Sequence, residues 1–498
     1  MVDRRIKFQR PQTVGSLEKM LHELENDFAL PEEFSAPVLA AAEESLACLA
    51  APPADHTHLP FFTLDPASST DLDQAMYLEK LSDGFLVHYA IADVPALVPL
   101  GSLLDEVTRQ RGQTIYLPHR RISLHPPSIS EYGGSLLPDA TRRAFIWQLE
   151  LRADGELRSV RLERSLIRSR AKLNYPQAQQ ELDAGTASEQ LQLLRQIGLL
   201  RIAAEQRRQG ASLNLPDQEV VQDSHGNYQL VSRMPLPIED YNAQISLLTG
   251  MAAAQLMLEA GVGILRTMPQ PGPKELAEFR AQAQTLGHQW DERLSYGEFL
   301  RTLDISKPAE LVLMHRAAAL FRGADYQVIN GQAPQELTQA ALATHYTHAT
   351  APLRRLVDRF VLLTCQLIVT AQPIPQLLHE ALQLLPQLMR SSSTEAAQAG
   401  KASLDLIEAW VLQHRVGEEF QAVVLRAASA ADGDTAGRPG SVQLLDEAVT
   451  GTFHGSAQPA CLVRVKLVRA DPVSRSCHFE QLAVEVTSPA SDEKNQLC

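Results

Sequence analysis

Apolar positions along the chain change their spacing twice, and the changes divide it into three blocks. In residues 1–58 the spacing is helical. Leu17, Met20, Leu21 and Leu24 recur at three- and four-residue steps within Ser16 to Phe28. Pro37 to Ala50 is a second, alanine-rich helical stretch, with Ser35 as its cap and Pro52-Pro53 as its stop. Two short helices around a turn fit a helix-turn-helix, or equally a helical cap packed on the next block. Residues 59–405 read as one α/β unit. Strand-like runs such as Leu86–Ile91, Phe145–Leu151 and Val160–Ser165 dominate to about Leu173, and Asp154-Gly155 marks a hairpin. Long amphipathic helices follow, among them Ser188 to Gln209 and Tyr241 to Ala260. In residues 406–490 short strands return: Glu418–Leu425, Gly440–Leu445, Leu462–Val468 and His478–Val486. Turn residues separate them, at Asp432-Gly433-Asp434, Arg438-Pro439-Gly440 and Asp471-Pro472, which suggests a small OB-type barrel. Residues 491–498 are a polar tail, expected to be disordered. The fold class is mixed α/β: a small helical N-terminal domain, a large α/β domain and a five-stranded OB-type β-barrel.

Composition narrows the class. The chain has 498 residues, 45% hydrophobic and 21% charged, as in a soluble globular protein of several domains. It has no apolar run of ~18 residues, and its start lacks the apolar core of a signal peptide, so a cytoplasmic protein without a membrane partner is expected. Five scattered cysteines lack metal-ligand spacing and fit reduced thiols. A net charge of −14 argues against a protein that coats nucleic acid through a global positive field, but not against a local basic channel. The densest cationic run, Arg158 to Lys172, places Arg164, Arg168, Arg170 and Lys172 on one face at strand period.

Two stretches carry candidate chemistry. The apolar run Leu59–Leu64 ends at Asp65-Pro66, because proline removes a ladder donor and fixes φ. A loop of small residues follows, and then Asp71 and Asp73. Three carboxylates on one short loop repel one another unless a cation sits among them, and magnesium suits two or three aspartates and several waters. An acidic surface loop with Asx-turns is the alternative. The second stretch is Tyr346 to Arg359. Pro352 suits the first turn of a helix, with Thr350 or Ala351 as cap. Arg354 and Arg355 would then oppose the helix dipole unless an anion such as phosphate lies there. A solvated basic helix start is the alternative.

Further segments stand in order around these: His88 to Val94, then Arg111-Gly112-Gln113-Thr114-Ile115-Tyr116-Leu117-Pro118, then Ser169 to Tyr175. Together with Asp65-Pro66, Asp71, Asp73 and Thr350 to Asp358, they resemble the catalytic domain of the ribonuclease II family of 3′-to-5′ exoribonucleases, from about Leu59 to Arg359. The C-terminal barrel matches that family's RNA-binding domain in position. Cold-shock barrels common in bacterial relatives have no room in 58 residues.

The resemblance implies a magnesium-dependent hydrolase, with manganese as the alternative ion, that acts on single-stranded RNA with a 3′ end and releases nucleoside 5′-monophosphates. A duplex with a 3′ overhang is a further candidate substrate, and a monomer is expected. Asp65, Asp71, Asp73 and Arg354 fall on catalytic positions, and Arg354 would clamp the scissile phosphate. The metal set is Asp65, Asp71 and Asp73, with Gln74 where the family has a fourth aspartate. Gln74 would be a weak ligand or hold a metal-bound water, leaving one well-held ion and a second that arrives with the substrate phosphate. RNA contacts are implied for Tyr116, Arg111, Lys172, Tyr175, His348, Arg355 and Gln244. Gln244 stands where a carboxylate is expected, and Leu215 where bacterial ribonuclease II has a stacking aromatic. The rival reading is a catalytically weakened RNA-binding relative in which Gln74 has removed the second metal. A DNA-binding regulator would rest on residues 1–58 alone and is opposed by the net acidity.

Overall fold

The computed structural model describes residues 14–482 except 32, 212–216, 223–227, 292, 332–333, 335–336, 429–437 and 446–448. The segment around Leu215, the Asp432-Gly433-Asp434 turn and the tail lie outside the described residues.

Five strands build the core of the large domain: β1 (Phe61–Asp65), β2 (Gln74–Leu81), β3 (Gly84–Ala92), β4 (Thr141–Arg152) and β5 (Leu157–Asn174). Neighbours are antiparallel except β1 and β5, which run parallel in the register Leu64↔Leu173 and Asp65↔Asn174. Because β5 pairs with β4 as well as β1, the sheet closes on itself. The Asp154-Gly155 hairpin joins β4 to β5, with Gly155 at φ +81°. The unbroken apolar run of β1 reflects burial on both faces. Phe62 and Leu64 enter the main core with Met76, Tyr89 and Trp147, while Phe61 enters a second cluster with Ala75, Ala90 and Ile146.

The two N-terminal helices, α1 (Val14–Asp27) and α2 (Ala36–Ala47), separate into different layers. Leu17, Leu21 and Leu24 of α1 pack with the C-terminal barrel, whereas Val38 and Ala42 of α2 pack on the sheet cluster of Phe61. This packing is that of a cap; the helices share no core of their own among the described residues. Glu25 of α1, nearly buried, takes a bidentate pair of bonds from Arg120 at 2.6 Å and a third contact from His119 at 2.7 Å. Those residues belong to the turn of the small hairpin Ile115–Tyr116/Arg121–Ile122, so α1 buttresses it.

Three helices matter for the site: α3 (Pro237–Ala260), α4 (Leu356–Val369) and α5 (Gln376–Leu412). A boundary at residue 405 falls inside α5, whose last turns join the barrel core through Leu406, Ile407 and Leu412. The barrel is closed and five-stranded, built from Glu419–Arg426, Gly440–Leu444, Thr450–His454, Leu462–Asp471 and Ser476–Gln481. The sequence reading missed its third strand, Thr450–His454, which lacks an apolar alternation. Phe420, Phe453 and Phe479 fill the barrel core. Cys48, Cys365 and Cys477 are free thiols. No helix among the described residues is long and apolar enough to cross a membrane.

The Arg354 segment departs from expectation. Pro352 does not open a helix; residues 352–354 form a turn, and α4 begins only at Leu356, with Arg355 at its N-cap position at φ −131°. Arg354 N and Arg355 N both donate to Ala351 O, at 3.2 and 2.9 Å, which closes one isolated turn, while the other backbone groups of the segment bond to distant partners, as the site shows.

Candidate active site

The loop between β1 and β2 is fixed from both sides. Ser135 Oγ accepts from Leu72 N at 2.9 Å and donates to Thr70 O at 2.8 Å. Lys172, on β5, donates through Nζ to Ala67 O at 2.8 Å and Ser69 O at 2.6 Å. Asp65 therefore stands at the end of β1, Asp73 just before β2, and Asp71 on the loop between them.

The second strip arrives from the far end of the domain. Gln74 Nε2 donates to Thr350 O at 2.7 Å, Leu353 N donates to Asp73 Oδ1 at 2.7 Å, and Thr114 N donates to Arg354 O at 2.9 Å. His125 Nε2 meets Pro352 O at 3.0 Å, and Ala351 N donates to Asp358 Oδ1 at 2.7 Å. Arg354 is thereby held with Nε 3.8 Å from Asp73 Oδ2 while its side chain stays 45% exposed. A buried carboxylate and a guanidinium that still reaches solvent face each other on one wall.

Beside them opens a cavity of ≈ 520 Å³, lined by Asp65, Asp71, Asp73, Gln74, Tyr116, Tyr175 and Arg354 together with one face of α3. Burial pushes the Asp65 carboxyl up to about 6, against the pull of Arg354, and holds Asp73 well above the usual carboxylate range. Tyr175 is raised to about 12 by burial and by Asp65. Carboxylates that burial makes poor anions gain most from a cation. The donor set is all oxygen, which suits magnesium. Among the described residues no group of three or more His, Cys, Asp or Glu side chains is set to hold a metal. Magnesium often takes only one or two carboxylates and keeps waters for the rest, so Asp65 and Asp73 fit it.

Asp71 is otherwise engaged. Arg121 Nη1 lies 2.5 Å from its Oδ1, and the Tyr116 hydroxyl donates to its Oδ2 at 3.2 Å. Gln74 lines the cavity, but its amide donates to Thr350 O and its oxygen accepts from Tyr89 Oη at 2.6 Å. Tyr116 is 52% exposed, so its ring is open to a ligand.

The remaining expected contacts are not brought to the cavity. Gln244 is buried and donates to Glu205 at 2.9 Å, because the helical period turns it away from the face of Ala243 and Ser246. His348 meets Tyr326 Oη at 2.6 Å in a buried pocket, and burial holds it well below the usual imidazole range. Arg355 makes a bidentate pair with buried Asp358 at 2.9 Å. Arg111 lies 3.9 Å over the Phe34 ring and donates to Ser123 O, in a neighbouring cavity. Lys172 holds the loop instead of lining the cavity. Along the cationic face of β5, Arg164 lies over Phe145, Arg168 is 3.6 Å from Asp139, and Arg170 donates to Thr57 O.

The sequence reading missed Glu239, Asn242 and Ser246, which line the cavity from α3. Their spacing of three and four residues is a polar stripe on an otherwise apolar helix, a signal legible without the structure. Asn242 donates to the Tyr175 hydroxyl at 3.0 Å, and Ser246 shares a hydrogen bond with Thr350 at 2.8 Å.

An α/β domain that gathers aspartates and an arginine around one cavity, followed by an OB-type barrel, is the class that fold and site define. The chain belongs to the RNB family: the RNB domain matches residues 54–371, and the RNase II-type exonuclease C-terminal S1 domain matches residues 418–482. It is 28% identical over 388 residues to the Exosome complex exonuclease RRP44 homolog A of Arabidopsis thaliana, covering 74% of this chain and 41% of the relative. It is 26% identical over 389 residues to Ribonuclease R of Aquifex aeolicus, covering 73% of this chain and 53% of the relative. The chain thus spans about half or less of the length of these relatives. The fold matches that of Mycoplasma genitalium RNase R, solved with ribose-methylated single-stranded RNA, at a TM-score of 0.83 and 18% identity, over 94% of this chain and 78% of that one.

Proposed function

We propose that this chain is a divalent-metal-dependent 3′-to-5′ exoribonuclease that hydrolyses single-stranded RNA to nucleoside 5′-monophosphates. Magnesium is the proposed ion and manganese its alternative. The observation that carries the reading is the 3.8 Å contact of Asp73 and Arg354 on the wall of a cavity that Asp65 also lines. Family membership and the C-terminal S1 domain support it.

In this reading Asp65 and Asp73 hold the metal. A divalent ion bound there would supply an activated water and neutralise charge on the phosphate. Arg354 offers its guanidinium fork to the non-bridging oxygens of the scissile phosphate and stabilises the charge that builds during displacement. Tyr116 presents a ring on which a terminal base stacks whatever its identity. Asn242 and Ser246 give the ribose side of the cavity polar partners, the kind of contact by which a protein tells RNA from DNA. An RNA duplex with a 3′ overhang is a further proposed substrate, and digestion that stops well before the paired region would exclude it.

A second reading, a catalytically weakened RNA binder, draws on Gln74, whose amide is tied at both ends, and on Asp71, which is tied to Arg121. One assay separates the two: 3′-labelled RNA with magnesium, the wild type beside Asp73→Asn. Nucleotide release that vanishes in the variant supports the enzyme. No release from either protein, with RNA retained on a filter, supports the binder.

A further inference from the structure

Arg121 is a cation that the metal-binding reading leaves unexplained. It reaches from the hairpin strand Arg121–Ile122 into the carboxylate loop. Nη1 lies 2.5 Å from Asp71 Oδ1, and Nη2 donates to Thr70 Oγ1 at 3.1 Å and pairs with Glu131. Tyr116 covers the other oxygen of Asp71. Both Asp71 oxygens are therefore engaged by fixed donors of the chain. On the other side of Asp73, where a further ligand would be needed for a second ion, stands uncharged Gln74 with its amide committed to Thr350 and Tyr89. Arg121 is in direct contact with Asp71 at 2.5 Å, closer than Arg354 is to Asp73 at 3.8 Å, so a dication on Asp71 would meet the stronger like-charge repulsion.

We propose that Arg121 is the resident cation of this site: it neutralises Asp71, so that the RNA-free protein holds one divalent ion, at Asp65 and Asp73, and not two. The inference rests on the metal-dependent reading above and assigns a positioning role to a residue that does not line the Asp65–Asp73 cavity. Glu131 is part of the device. By taking a second edge of the guanidinium it fixes the fork toward Asp71 and prevents Arg121 from swinging onto Asp73.

The test is a titration of Mn2+ into the full chain without RNA, with free ion read by electron paramagnetic resonance. The wild type should take up one ion. Arg121→Ala should take up a second, or hold the first about tenfold more tightly, as follows from removing a like charge beside it. Should Arg121→Ala fail to fold, Asp71→Asn carries the same question: it should keep one ion with Kd within about threefold of wild type. Two ions in the wild type, an Arg121→Ala that folds with unchanged count and Kd, or an Asp71→Asn that loses its ion would each overturn the role of Arg121. Two ions alongside intact nucleotide release would leave the hydrolase reading standing, whereas no uptake and no release would remove both.

Discussion

The backbone N–H of Leu353 donates to Oδ1 of Asp73 at 2.7 Å, across 280 residues of chain. That bond, with the Gln74–Thr350 bond beside it, seats the Arg354 turn on the carboxylate loop. It also fills one oxygen of Asp73 and leaves the other toward Arg354. Arg354 itself joins this seat only through its backbone, donating to Ala351 O and accepting from Thr114 N, so its side chain need not hold the turn in place.

Arg354→Ala should therefore leave the fold intact and lower nucleotide release by about 10²–10³-fold, the usual loss when a donor to the developing charge is removed. Single-turnover digestion of 3′-labelled RNA, alongside a melting curve, measures both. Release within a few-fold of wild type would mean that Arg354 does not meet the scissile phosphate.

Arg355→Ala should behave in the opposite way. Its bidentate partner Asp358 has a fully buried side chain and also caps Ala351 N, so removing the guanidinium strands a buried carboxylate. A loss of roughly 3–5 kcal/mol is expected from breaking such a pair. Urea denaturation reads it, and a variant as stable as wild type would return Arg355 to the list of ligand contacts.

Gly250 marks where α3 touches the segment leading to the Arg354 turn. A Cβ there would lie 2.3 Å from Tyr346 Cε2 and 2.4 Å from Thr347 O. Gly250→Ala should cost about 1–3 kcal/mol by overpacking and reduce activity by shifting the turn. Unchanged melting and turnover would show that the strip moves freely on α3.

His125, buried against Pro352 O, is pushed down to about 3, chiefly by burial and then by Arg359. The folded protein keeps it neutral while the unfolded chain binds a proton near the ordinary 6.5. Its contribution is thus full above that pH and is lost as pH falls from about 6.5 toward 3, on the order of 5 kcal/mol in total. Between pH 6.5 and 4 the wild type should lose stability faster than His125→Asn, and parallel curves would refute this.

Much of this was legible in the residues. Asp65-Pro66 ends a strand by local chemistry, and Asp71 and Asp73 follow at fixed spacing. The apolar periods placed α1, α2, most of the β strands and four of the five barrel strands. Gln244, His348 and Arg355 were misplaced because a residue's type does not tell which way its side chain turns. Each is buried against a partner remote in sequence or taken up by an Asp on the next helical turn.

By itself the sequence determined most of the segments that form strands and helices, which family the chain resembles and which residues carry charge near the site, because these follow from local propensity, periodicity and motif order. Only the tertiary structure decided that Asp73 meets Leu353 and Arg354, that Gln74 is tied to Thr350 and Tyr89, and that Arg121 holds Asp71. Those pairings are set by closure of the sheet and the seating of the Arg354 turn. A polar group leaving water takes whichever partner the packed chain brings within bonding distance.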